Sequence, residues 1–303
     1  MSRAAAKTRF LVVGASGLVG RALMPWLESR GHPAIGTQVS MKRPGLVGFD
    51  LRTDRIADKV GPAFFSDGTP TVAVVCASIC QIDRCFRERE VARLVNVVNT
   101  LRLIDDLSAR GVKPVFISSG YVFDGERGYY CEEHERRPVC EYGRHKQAVE
   151  EHVLSRIPGA LVLRLDKVVG DDPAQEHLLT EWHRWLAAGR PVTCIAGQVF
   201  SPTLVKDVAR AVTRVVDLDL KGLYHVANPE FFSREELARQ FALALGREAA
   251  IESKPQSEFA FDDPRPLKTY LDATKFIKAA DFRFTSMRET FADFRARLGR
   301  LTS

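Results

Sequence analysis

Phe10-Leu-Val-Val-Gly14-Ala-Ser-Gly17-Leu-Val-Gly20 is the stretch on which the fold turns. An apolar β-branched run enters three glycines spaced three apart, and helix formers follow. The spacing predicts a strand, a tight turn and a helix from about Leu18 to Arg30. In such a turn Gly14 permits the bend, Gly17 lets the backbone approach a pyrophosphate, and Gly20 lets helix and strand pack closely. The helix N-terminus then faces the anion, with Ser16, Leu18 and Val19 beside it.

Outward from this stretch, short β-branched runs alternate with amphipathic ones. Strands are expected at Arg9 to Val13, Pro33 to Thr37, Thr71 to Cys76, Pro114 to Ser118, Ala160 to Arg164 and Leu223 to Val226, with an extended run at Pro191 to Cys194. Helices are expected at Glu88 to Arg110, Tyr142 to Arg156, Gln175 to Ala188, Leu204 to Val216 and Ser233 to Leu245. Ser233 and Glu236 form a capping box for the last of these. The alternation implies an α/β chain, a doubly wound Rossmann-type parallel sheet with a smaller C-terminal substrate-binding lobe. Residues 1–165, completed by about 195–228, make the NAD(P)-binding domain; 166–194 and 229–303 make the lobe.

Composition narrows the function. The 303 residues are 45% hydrophobic and 27% charged, enough for a large core and too apolar for disorder. The net charge of +6 is spread along the chain rather than clustered, which argues against nucleic acid. Six cysteines without paired C-x-x-C spacing fit neither zinc nor structural disulfides and read as reduced thiols. His134, His145 and His152 lack a matching ligand set, so no metal is expected. Arg3 and Lys7 ahead of an apolar run imitate a signal peptide, but the glycine turn accounts for that run. No stretch reaches the roughly 18 apolar residues of a spanning helix. A cytoplasmic chain with a small-molecule substrate is expected, and the reading leaves room for a homodimer.

Two further segments carry chemistry. The second strand ends Ile35-Gly36-Thr37-Gln38 without the acid that NAD-specific sites place there, while Lys42 and Arg43 follow as cations suited to a 2′-phosphate. NADP(H) is therefore preferred, with NAD(H) as the alternative. Tyr142-Gly-Arg-His-Lys146 opens a helix, and the four-residue spacing puts phenol and ammonium on one face. A nearby cation stabilises a phenolate, which brings tyrosine into range for acid–base work. Ile117-Ser118-Ser119, just upstream, can offer a hydroxyl to a carbonyl.

With these segments together the chain resembles the extended short-chain dehydrogenase/reductases, and within them the dTDP-4-dehydrorhamnose reductase group, along nearly its whole length. Phe116-Ile-Ser-Ser-Gly-Tyr-Val-Phe-Asp-Gly125 resembles that group's Ser-Thr-Asp-Tyr-Val-Phe-Asp-Gly segment. Gln81-Ile-Asp83-Arg, Phe200-Ser-Pro202-Thr203, Asp207-Val-Ala, Arg265-Pro266 and Leu271-Asp272 resemble further signatures of the group. The resemblance implies that Tyr142 donates the proton, Lys146 tunes it and holds the ribose, Ser119 binds the carbonyl, and nicotinamide supplies hydride. It also implies that Ala77 and Ser78 pass the cofactor, Asp50 and Leu51 meet the adenine, Asn96 acts as a structural and relay residue, and Arg265 lies near the substrate.

The chain departs from the group around the substrate. Gly120 replaces an Asp, Asp166-Lys167 replace a small residue and Trp, and Lys268 replaces Asn. Gly120, Tyr121, Lys167 and Arg265 are the expected substrate contacts. Gly120-Tyr121 lacks the acidic pair that a dehydratase needs. The main expectation is an NADPH-dependent reductase of a keto group on a nucleotide-linked deoxysugar or similar polar metabolite. The alternatives are a non-catalytic NADP-binding regulatory subunit resembling the methionine adenosyltransferase β subunit, and a ketoreductase of a natural-product intermediate. Trp182 and Trp185 are expected to pack against the nucleotide-binding domain or a dimer partner rather than to form a substrate platform, and Cys80 and Cys85 to be inert.

Overall fold

In the computed structural model, which describes residues 7–39, 43–66 and 68–302, seven strands form one parallel sheet. They are β1 (Arg9–Val13), β2 (Ala34–Gln38), β3 (Val47–Gly48), β4 (Thr71–Val75), β5 (Lys113–Ser119), β6 (Leu161–Leu165) and β7 (Gly222–His225). Their spatial order is β7-β6-β5-β4-β1-β2-β3. Six of them fall within a residue or two of their sequence-based positions; two-residue β3 is too short to carry a periodic signal.

Both faces of the sheet are covered, which is why its strands read as unbroken apolar runs rather than alternating ones. On one face Phe10, Val12, Val72 and Val74 pack with Leu23 and Leu27 of α1 (Leu18–Ser29). On the other, Leu11, Val13, Ala73 and Val75 meet Leu103, Ile104 and Leu107 of α2 (Thr100–Ser108) and Val149 and Val153 of α3 (Glu141–Arg156). Burying each such side chain stabilises the fold by roughly 1.5–3 kcal/mol. Gly20 is required where α1 crosses β1, since a Cβ there would lie 2.5 Å from both Ala15 Cα and the Gly14 carbonyl oxygen.

The single helix expected from Glu88 to Arg110 is broken. Short helices Ile82–Arg87 and Arg89–Arg93 lead into a π-helical turn, Leu94–Asn99, before α2. The Thr100 hydroxyl bonds the Val95 carbonyl five residues back, at 2.8 Å. This wider turn buries Asn96 and Asn99, and Asn96 reaches the loop that leaves β4.

The lobe contains α4 (Leu178–Ala187), α6 (Arg234–Ala244) and α7 (Met287–Thr302), while α5 (Val205–Asp217) packs on the main sheet beside α1. Trp182, Leu237, Phe241, Phe291 and Phe294 form the lobe's core, so Trp182 packs within the lobe rather than against the nucleotide-binding domain. Three small strand pairs accompany it: Lys167–Val169 with Pro202–Leu204, Val192–Ile195 with Ile251–Lys254, and Val199–Phe200 with Phe232–Ser233. Ser233 caps α6 by accepting from the Glu236 amide at 3.1 Å. The Glu236 carboxylate accepts instead from Gln240, so the capping box is half formed. Phe276, Phe282 and Phe284, expected in the lobe, pack with α5 under the main sheet. Among the described residues no helix is long and apolar enough to cross a membrane.

Candidate active site

Strand order reverses at β1, with β2 on one side and β4 on the other, and a crevice opens at the carboxyl ends of these strands. A cleft of about 390 Å³ lies there, lined by Gly14, Ser16, Gly17, Leu18, Val19 and Gly20 on one side and Ser119, Tyr142 and Lys146 on the other. Thus the two motifs, more than 120 residues apart in sequence, share one cavity. Gly14 has φ +91°, and a Cβ on it would meet the Ala77 amide nitrogen at 2.7 Å. Gly17 occupies the N-cap of α1, where no side chain caps the helix and no acidic residue stands in the first turn. Its amides and the positive end of its dipole are left for an anion. This cradle fits the diphosphate of a dinucleotide.

At the other wall, the Ser119 hydroxyl accepts from the Tyr121 amide at 3.2 Å and stands near the Tyr142 phenol, on which it acts. Lys146 donates to the Ile117 carbonyl at 2.8 Å, with its ammonium 4.7 Å from the Phe116 ring centroid and 5.6 Å from that of Tyr142. Burial raises the Tyr142 phenol well above its ordinary value and lowers the Lys146 ammonium. The expectation that Lys146 depresses the phenol is therefore outweighed in the protein alone, where desolvation disfavours the phenolate. The phenol stands protonated, as a proton donor requires.

Behind this wall lies a buried ionic network. Glu150, one turn beyond Lys146 on α3, accepts from Ser118 at 2.5 Å and from the Arg164 guanidinium at 2.9 and 2.7 Å. Arg164 in turn reaches His225 Nε2 at 3.2 Å. The network joins α3 to β5, β6 and β7, so the elements carrying Ser119, Tyr142 and Lys146 share one set of bonds.

Leu51, Ala77 and Ser78 line the cleft as expected. Asp50 does not: its carboxylate is held by Arg52 through bonds of 2.6 to 3.1 Å, because that guanidinium is the nearest cation. Asn96 stands behind the wall, accepting from the Ile79 amide at 2.8 Å and from Ser78 at 3.1 Å, and donating to the Ile79 carbonyl. It shapes the loop rather than facing the cavity. Arg43 is exposed outside the cleft lining, and Lys42 lies outside the described residues. Gly120 is buried under the C-terminal segment, where a Cβ would meet the Thr269 carbonyl at 3.1 Å, and it is not among the residues lining the cleft.

Tyr121, Lys167 and Arg265 line a second hollow beside the cleft, together with Trp185, Gln198 and Arg234. Tyr121 meets Tyr142 edge to face with ring centroids 6.0 Å apart. Arg265 is anchored to Asp83 at 2.8 Å and lies over the Phe261 ring. Trp185 packs against the lobe core and also lines this hollow. The sequence reading also missed Thr37, whose hydroxyl accepts from the Gly14 amide at 3.2 Å, as well as Phe49 and Arg234. Arg234 follows the Ser233 cap, and its position in the first turn of a helix was its only local mark.

Comparison with known proteins places this geometry. Residues 8–299 match the family described as RmlD substrate binding domain. The chain is 30% identical over 291 residues to dTDP-4-dehydrorhamnose reductase of Mycolicibacterium smegmatis, covering 94% of this chain and 84% of that one. It is also 30% identical over 277 residues to methionine adenosyltransferase 2 subunit beta of Xenopus tropicalis, covering 89% and 82%. A solved dTDP-4-dehydrorhamnose reductase from Bacillus anthracis, in complex with NADP, superposes with a TM-score of 0.83 at 22% identity, covering 95% of this chain and 98% of that one.

Proposed function

The chain belongs to the RmlD substrate binding domain family, and from that premise we propose that it is an NADPH-dependent reductase of a keto group on a nucleotide-linked sugar. The observation that carries the reading is the shared cavity of the glycine cradle and the Ser119, Tyr142 and Lys146 side chains. When bound, the nicotinamide would supply the hydride. The backbone amides at Gly14 to Gly20 would hold the diphosphate, with Leu51, Ala77 and Ser78 along the rest of the cofactor.

The chain's own groups supply the rest. Ser119 donates a hydrogen bond to the substrate carbonyl and so polarises it. Tyr142, kept protonated by burial, gives its proton to the oxygen as negative charge grows there. The phenolate left behind is stabilised by Lys146, whose ammonium is fixed by the Ile117 carbonyl. The preference for NADPH over NADH is drawn from the want of an acid at the end of β2, where Thr37 and Gln38 stand.

A second reading has one observation in its favour, the 30% identity to a methionine adenosyltransferase regulatory subunit. Under it the chain binds NADP and a partner enzyme without turnover. NADPH consumption by the purified protein, followed at 340 nm with a panel of 4-keto sugar nucleotides, separates the two. Turnover on at least one member is expected. NADPH binding with no turnover, joined to stoichiometric capture of an enzyme partner, would favour the regulatory reading instead.

A further inference from the structure

Lys167 and Arg234 are two cations side by side at the wall between the hollow beside Tyr121 and a second hollow under α4. Burial pulls the Lys167 ammonium down to about 8, and the Arg234 charge adds to the effect. Among the described residues neither forms an ion pair. Two carboxylates act on Lys167 without forming an ion pair with it. Asp166 accepts from the Ser201 amide at 2.6 Å, and Glu181, exposed on α4, lines the hollow under that helix and acts on Arg234 as well.

Arg234 is held in place by neutral partners. It donates to Gln198 Oε1 at 3.3 Å and lies 5.5 Å from the Trp182 ring centroid, while its Nε is buried without a hydrogen-bond partner. A buried guanidinium nitrogen left unpaired costs stability. Two part-buried cations side by side, neither in an ion pair, cost more still unless an anion joins them.

Their place in the fold says which part of a substrate the anion belongs to. Tyr121 lines the same hollow as both cations and packs against Tyr142. The pair therefore shares a hollow with the neighbour of the phenol, on the side where a substituent of the reacting sugar would project. Arg265, the remaining cation of that hollow, is already satisfied by Asp83 and by the Asp263 carbonyl at 2.6 Å.

Building on the reductase reading, we propose that Lys167 and Arg234 bind a carboxylate carried by the sugar ring, so that the substrate is an acidic keto sugar rather than a neutral one. A carboxylate presents two oxygens, one for the ammonium and one for the guanidinium. Arg234 is then the specificity residue, pre-set by Gln198 and Trp182, and Lys167 is its partner.

The test is equilibrium binding of UDP-glucuronate and UDP-glucose to the full chain in the presence of NADP⁺, since these probes differ only in that carboxylate. UDP-glucuronate is expected to bind about tenfold more tightly, the scale of one charge-assisted contact. Lys167→Gln and Arg234→Gln should each bring the ratio close to one, and Lys167→Arg should keep it. Retained NADPH binding reports that each variant folds. Equal affinities in the unmodified chain would overturn the proposal. So would a Lys167→Gln variant that weakens both probes alike, since the pair would then read the diphosphate. Failure of both probes with NADPH still bound overturns the proposal alone, whereas failure to bind NADPH removes the reductase reading with it.

Discussion

His225 shows how much a single buried group can decide. Its Nε2 faces an Arg164 N–H at 3.2 Å, so it must accept there, and Nδ1 donates to the Asp272 carbonyl at 3.1 Å. The ring is neutral, and its value is pushed down to about 3, by burial first and the Arg164 charge second. In the unfolded chain it titrates near 6.5. The unfolded state therefore gains a proton as pH falls below about 6.5 while the folded state resists until about 3. The stabilisation is complete above 6.5 and is lost progressively across that window. His225→Gln should cost about 1–3 kcal/mol near neutral pH through its imperfect hydrogen bonds. It should also show a smaller loss of stability than the unmodified chain between pH 7.5 and 4.5, measured by urea unfolding at each pH. Parallel losses would contradict the neutral assignment. Such a residue is invisible to sequence reasoning, because Leu-Tyr-His-Val reads as a strand and its partner Arg164 stands 61 residues away.

At the scale of elements, α3 carries both Tyr142 and Lys146, and its start is set from far away. Cys140 is its N-cap residue but makes no side-chain cap; instead Asp263 accepts from the Glu141 amide at 2.7 Å. The neighbouring Asp262 amide bonds Asp83 at 3.0 Å, and Arg265 pairs with the same carboxylate. One short segment of the C-terminal region thus ties down α3 and the helix Ile82–Arg87 together. Asp263→Ala should destabilise the protein by about 1 kcal/mol, the scale of a lost N-cap. Asp263→Asn should recover part of the loss, and thermal unfolding of the three proteins compares them. Equal stability of all three would show that the cap carries no weight. The helix itself was legible from its periodicity, while the cap was not, since a cysteine at the N-cap position sends no signal. The π-helical turn was hidden for a related reason: Leu94 to Asn99 has ordinary helical residues, and only the bonds from Asn96 to Ile79 reward the wider turn.

For the whole molecule, the parallel sheet was readable because its strands are buried on both faces and so announce themselves as apolar runs. The lobe was less so: its strands are two to four residues long and its core is assembled from α4, α6 and α7, whose pairing is not local. The same contrast runs through the site. Gly14, Gly17, Gly20, Ser119, Tyr142 and Lys146 could be named from spacing, whereas Arg234 and the diversion of Asp50 to Arg52 depend on tertiary neighbours. What unites the molecule is the crevice where strand order reverses, with an anion cradle on one wall and a protonated phenol on the other. The most direct test replaces that phenol: Tyr142→Phe, assayed for turnover on the sugar nucleotide that the panel identifies and for NADPH affinity by fluorescence titration. The account predicts a fall in kcat of about 10²–10⁴-fold, the scale of general acid catalysis, with NADPH affinity within about twofold of the unmodified chain. Turnover that survives undiminished in the variant would contradict it.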